Sequence, residues 1–133
     1  MAYYCPEPLS SRAERLLSAQ REPTISGLTE VEFASALARK TRLREISRTD
    51  VDRVLARFDA HIQENLYRRV ATERRHFDLA FRWLAEHRAP LRALDALHLA
   101  AAAANELDIV TADAPMARAA RVLGIRVTLL RTR

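Results

Sequence analysis

Three acids far apart in the chain carry the chemistry this sequence could perform: Glu32, Asp95 and Asp113. Asp113 follows the strand-like run Asp108-Ile109-Val110-Thr111. That is the carboxyl end of a strand, where parallel α/β sheets place their functional groups. An Asp two residues ahead of Pro115 is also an ordinary helix N-cap, so a local role competes. Glu32 has a local role open to it as well. Thr29-Glu30-Val31-Glu32 matches the capping box, with Glu32 reaching back to the Thr29 N–H. Its neighbour Glu30 lies about 200° away around the helix, so only one of the two faces inward easily. Asp95 is harder to explain locally. It stands among Leu94, Ala96, Leu97 and Leu99, where an ionised carboxylate is costly unless paired, hydrogen-bonded or metal-bound. A first-turn acid facing the helix dipole is the alternative.

Three carboxylates without a Cys/His cluster select a hard cation, Mg²⁺ or Mn²⁺, over zinc. Such an ion polarises a phosphate, activates water and stabilises a leaving oxygen, which suits phosphodiester hydrolysis. Ser26 and Thr111 end strands and are candidate supporting hydroxyls. His98, three residues after Asp95, reads as a core histidine with a backbone partner rather than a ligand. His61, His76 and His87 read as lying on polar helix faces. With only two glycines, Gly27 and Gly124, a phosphate-binding P-loop and a dinucleotide fingerprint are excluded.

The elements that must position these acids alternate helix and short strand. Leu9, Ala13, Leu16 and Leu17 mark a first amphipathic helix after Pro6-Glu7-Pro8. Residues 23–27 form a short strand. A helix from Thr29 to about Leu43 carries Phe33, Ala34, Leu37 and Ala38 on one face. Ser47 to Asp50 start a third helix with Val51, Val54, Leu55, Phe58 and Ile62 at helical spacing. Residues 66–71 read as a strand. The next helix begins near Thr72 with Phe77, Ala80, Phe81 and Leu84 inward. Residues 91–107 are apolar almost all round, a helix buried on most faces. The strand at 108–111, a helix capped by Asp113 and stopped at Gly124, and a strand at 126–130 complete the chain. No Asn-Gly or Asp-Gly hairpin turn joins two strands, so the expectation is an α/β fold: one short parallel sheet with helices on both faces, in a single domain over residues 1–133.

Composition bounds the partners. The chain of 133 residues carries a net charge of +5, which suits an anionic partner such as nucleic acid. Every basic residue except Lys40 is Arg. Arg68, Arg69, Arg74 and Arg75 are candidate contacts to an RNA backbone, or a solvated face balanced by Glu73 and Asp78. No apolar run is long enough to span a membrane. There is no secretory signal pattern, and the lone Cys5 favours a reducing cytoplasm.

The block Leu94-Asp95-Ala96-Leu97-His98-Leu99-Ala100, then Leu107 to Asp113, then Ala119-Ala120 and Leu123-Gly124-Ile125, closely resembles the PIN-domain family. Within the family it looks like the VapC-type toxins of bacterial type II toxin–antitoxin systems. Ile25-Ser26, Glu32-Phe33 and Ala36-Leu37-Ala38-Arg39 resemble that family's second strand and its glutamate-bearing helix, and Tyr4 to Pro8 resemble the segment after its first strand. The resemblance implies a three-layer α/β/α fold and a Mg²⁺- or Mn²⁺-dependent endoribonuclease. It further implies a homodimer and a small antitoxin that covers the site. It makes Glu32, Asp95 and Asp113 the metal-site acids, with Thr111 supporting. The family opens on a central strand ending in its own acid. Here no Asp precedes Asp50 and Glu7 is misplaced to substitute, so that strand is expected to be missing or replaced. Either the natural chain starts upstream of Met1, or the sheet closes differently or through a partner. Weak metal binding and low nuclease activity are then expected. Two other readings remain. One is a non-catalytic PIN-like module that keeps its partner surface. The other is a basic helical nucleic-acid binder, which would need no buried Asp95.

Overall fold

The computed structural model describes residues 23–131 and, ahead of them, Arg15, Leu16, Ser18 and Ala19 in helical conformation. Leu9, Ala13 and Leu17 of the expected first helix lie outside the described residues, as do Tyr4 to Pro8 and any strand before them. The chain divides into two compact units, Met1–Ala71 and Thr72–Arg133.

In the first unit, strand β1 (Thr24–Ser26) leads into helix α1 (Gly27–Arg42), helix α2 (Arg48–Gln63) and strand β2 (Arg68–Val70). β1 and β2 pair in parallel, Ile25 opposite Arg69. The two helices form the crossover that a parallel pair requires. Phe33 and Leu37, four residues apart on α1, are buried and pack with Ile46, Val51, Val54 and Phe58. The Phe33 and Phe58 rings meet at 4.6 Å, and Tyr67 continues the stack at 5.9 Å from Phe58. α2 starts where its sequence predicts, with the Ser47 hydroxyl accepting the Asp50 N–H at 3.1 Å.

The second unit runs helix α3 (Arg74–Ala85), helix α4 (Ala93–Ala104), strand β3 (Ile109–Thr111), helix α5 (Ala114–Val122) and strand β4 (Val127–Leu129). β3 and β4 are parallel, Val110 opposite Thr128. The core joins Ala80 and Trp83 of α3 to Ala96, Leu99 and Ala100 of α4 and Ala119 and Ala120 of α5. Alanines at these crossings let the helix backbones approach closely, and Leu99, fully buried, supplies about 2 kcal/mol of apolar burial.

The α/β class expected from the sequence is present, with strands of three residues each paired in parallel within each unit. Two expectations are corrected. The inward face of α3 is His76, Ala80 and Trp83; Ala80 is buried as expected, while Phe77 and Phe81 are exposed. The spacing 76, 80, 83 is as helical as 77, 81, 84, and the large Trp83 with the small Ala80 fits the alanine-rich neighbour better. Second, His76 is not on a polar face. It is fully buried.

The five helices α1 to α5 among the described residues end the same way. The residue two past each helix end has a left-handed backbone: Arg44, Asn65, His87, Glu106 and Gly124. In α1 the Arg44 N–H binds the Thr41 carbonyl at 3.0 Å and the Glu45 N–H binds the Lys40 carbonyl at 2.9 Å. The other four helices repeat these two bonds, which define the Schellman closure.

Candidate functional site

The first carboxylate, Glu32, sits in the second turn of α1 and is half-buried. Its expected capping role is taken elsewhere. Ser26 is the N-cap: its hydroxyl accepts the Thr29 N–H at 3.3 Å, and the Thr29 hydroxyl accepts the Ser26 N–H at 3.3 Å. The capping box therefore lies three residues earlier than the sequence suggests, and α1 begins at Gly27. Ser26 is buried and its hydroxyl is engaged in this cap, so the supporting hydroxyl expected here serves the helix start. Glu30 is also accounted for. Both of its oxygens accept from Arg69 Nη2, at 2.9 and 3.1 Å, which ties α1 to β2.

Asp95 and Asp113 belong to the second unit. Asp95 is half-buried in the first turn of α4. The N-cap residue, Arg92, makes no side-chain cap bond. Asp113 is exposed at the carboxyl end of β3. It caps α5 as expected: Oδ1 accepts the Met116 N–H at 3.0 Å, with Pro115 in the first turn. Oδ2 takes no hydrogen bond among the described residues. Thr111 positions this acid. Its hydroxyl oxygen accepts the Asp113 N–H at 3.1 Å and its proton faces Met116 Sδ at 3.8 Å. His98, on α4, is half-buried.

His76 is the buried polar group that sequence reasoning missed. Its Nδ1 accepts the Glu73 N–H at 3.1 Å, closing the start of α3. That bond puts the proton on Nε2, which is buried without a partner among the described residues. The signal was its spacing with Ala80 and Trp83.

The four arginines proposed for RNA divide by partner. Arg69 holds Glu30, Arg74 holds Asp78 at 2.9 Å and Arg75 holds Glu73 at 3.0 Å. Arg68 is exposed and makes no ion pair among the described residues. Exposed pairs of this kind contribute about 0–1 kcal/mol each and exchange partners readily.

A family model described as PIN domain matches residues 1–122. The chain belongs to the PIN domain family. Comparison with curated proteins gives no match, and comparison with solved structures gives none. The PIN domain is a nuclease-type fold whose members are usually nucleases and typically use divalent metal ions, and the parallel strand–helix order agrees with it. Carboxylates are the donor type such a hard cation takes, and the described residues carry Glu32 in the second turn of α1, Asp95 in the first turn of α4 and Asp113 at the N-cap of α5. The described residues include no group of three or more His, Cys, Asp or Glu side chains arranged to hold one. No described helix is long and apolar enough to cross a membrane.

Proposed function

We propose that this PIN domain is a divalent-metal-dependent endoribonuclease of the VapC toxin type, with the two units forming one domain. The observation that carries the reading is repeated in both units. A parallel strand ends and runs directly into a helix that bears an acid near its start: β1 into α1, with Glu32 in the second turn, and β3 into Asp113, the N-cap of α5. The carboxyl ends of parallel strands are where such folds act. Asp95, in an otherwise apolar helix, is the third acid.

Glu32, Asp95 and Asp113 would hold Mg²⁺ or Mn²⁺. When bound, the ion supplies Lewis-acid polarisation of a phosphodiester and charge neutralisation at its leaving oxygen. This chain's residues do the holding. The Met116 N–H fixes one oxygen of Asp113 and leaves the other to face outward. Thr111 restrains the turn between β3 and Asp113. Asp95 would stand in the first turn of α4, where the helix dipole favours negative charge. With three carboxylates from this chain, turnover is expected to be slow. A cytoplasmic homodimer held in check by a small antitoxin completes the proposal.

The test is cleavage of single-stranded RNA by the purified chain in Mg²⁺ or Mn²⁺, against EDTA and against Asp95→Asn. Metal-dependent cleavage lost in the variant is the expected result. RNA binding with no cleavage under any metal returns the chain to the non-catalytic reading.

A further inference from the structure

The excess positive charge has a definite location. Residues 39–57 hold seven Arg and Lys against three acids, so they carry +4 of the chain's net +5. These residues form the end of α1, the turn after it and the first part of α2. They surround an open cleft of about 830 Å³ lined by Lys40, Arg44, Arg48 and Arg53, with Ile46 and Val54 as its apolar part. Thr41 and Arg48 also line an adjoining hollow of about 440 Å³, so the depression continues past Arg48.

The two acids lining the larger cleft are already neutralised. Glu45 pairs with Lys40 at 3.4 Å. Asp50 accepts from the Ser47 hydroxyl at 2.7 Å and pairs with Arg53 at 3.4 Å. Arg39, Arg42, Arg44 and Arg48 make no ion pair among the described residues, and all four are exposed. Asp52 lines the smaller hollow and is the acid they outnumber. This differs from the arginines near β2 and α3, of which Arg69, Arg74 and Arg75 each hold a carboxylate.

We propose that the α1–α2 turn is the phosphate-backbone binding surface for a single-stranded RNA, with Arg44 and Arg48 as its principal contacts. Guanidinium groups grip phosphate through two parallel hydrogen bonds, which the Arg-over-Lys usage favours. A cleft with half-buried Ile46 and Val54 between cations accepts the apolar face of a ribose or base beside its phosphate. An acidic polypeptide would find the same charge. A strand of closely spaced phosphates matches four unpaired arginines within ten residues better than carboxylates on flexible side chains do. The choice of RNA rests on the nuclease reading, whereas the binding surface does not require cleavage.

The experiment measures binding of a fluorescent single-stranded RNA by anisotropy in EDTA between 50 and 200 mM salt. The intact chain is compared with Arg44→Gln/Arg48→Gln and with Arg74→Gln/Arg75→Gln, all checked for unchanged thermal unfolding. Loss of two phosphate contacts lowers the salt slope by about 1.4, so affinity falls about sevenfold less over that range than for the intact chain. That change in the Arg44/Arg48 variant, with little change in the Arg74/Arg75 variant, supports the proposal. Equal slopes in all three overturn it, even if the intact chain cleaves RNA. Equal competition by poly-glutamate and by unlabelled RNA overturns the choice of occupant. RNA binding that depends on Arg44 and Arg48 without cleavage in Mg²⁺ or Mn²⁺ supports the surface and rejects the catalytic reading.

Discussion

Asp113 is assigned two duties, and two substitutions separate them. One oxygen caps α5 through the Met116 N–H at 3.0 Å; the other is the proposed cation ligand. Asp113→Asn keeps a cap of nearly equal quality and removes the charge. Its stability cost is the lost interaction with the helix dipole, about 0.5 kcal/mol at an exposed site. Asp113→Ala removes the cap as well, for about 1–1.5 kcal/mol in total. For a chain of 133 residues, 1 kcal/mol corresponds to about 4 °C in Tm. Melts in EDTA should therefore fall by about 2 °C for the asparagine variant and about 4–6 °C for the alanine variant. Added Mg²⁺ at ten times its Kd should raise the intact chain by about 1.4 kcal/mol and leave both variants unmoved. Both variants should lose metal-dependent RNA cleavage. The reasoning is refuted if Asp113→Asn cleaves like the intact chain, since Asp113 is then a cap and nothing more. Equal melting losses in the two variants refute the cap assignment instead.

Asp95→Asn should abolish metal-dependent cleavage while leaving the far-ultraviolet dichroism and melting cooperativity of the chain intact; retained cleavage removes Asp95 from the site. Ser26→Ala should lower stability by about 0.5–1 kcal/mol, the lower part of the usual N-cap range because its bonds are 3.3 Å long. Glu32→Gln should lower metal-dependent RNA cleavage; unchanged cleavage removes Glu32 from the site. His76→Ala, at a fully buried position, should cost about 2 kcal/mol or more. His76→Gln should recover part of that loss, because glutamine three residues into a helix can also accept the N-cap N–H. Urea titration of both variants checks this, and equal losses would show that the cap bond contributes nothing.

Much of the scaffold was legible because its signals are local. Ser47 and Asp113 cap the helices they precede, Gly124 ends α5, and Val127 to Leu129 form the last strand. The start of α1 was misread because two capping patterns overlap. Ser26-Gly-Leu-Thr29 and Thr29-Glu-Val-Glu32 each satisfy the rule, and Gly27 resembles a breaker when it is the first helical residue. The α3 face was misread in part because Phe77 and Phe81 outweigh His76 on any hydrophobicity scale, although Ala80 was correctly placed inward. Packing chose instead the stripe one residue away, where Trp83 and Ala80 meet the alanines of α4 and α5. The strand pairing was the least legible part. Three-residue strands carry too few side chains to announce their neighbours, and β2 is mostly arginine. The acids could be named from their type and position. Their local bonds, such as Glu30 with Arg69 and Asp113 with Met116, depend on side-chain reach that spacing does not encode.

The five helix closures leave a thermal reserve in this chain. Four of them place a residue with a Cβ where glycine is the natural occupant, at φ values of 51 to 57°. Glycine would relieve about 1–2 kcal/mol of steric cost at each and return about half of it to the greater freedom of the unfolded chain. A heat-tolerant version is thus reached most simply through His87→Gly and Glu106→Gly. Arg44 is the closure to leave alone, because there the awkward backbone holds a guanidinium over the cleft, and relaxing the turn would erase the charge.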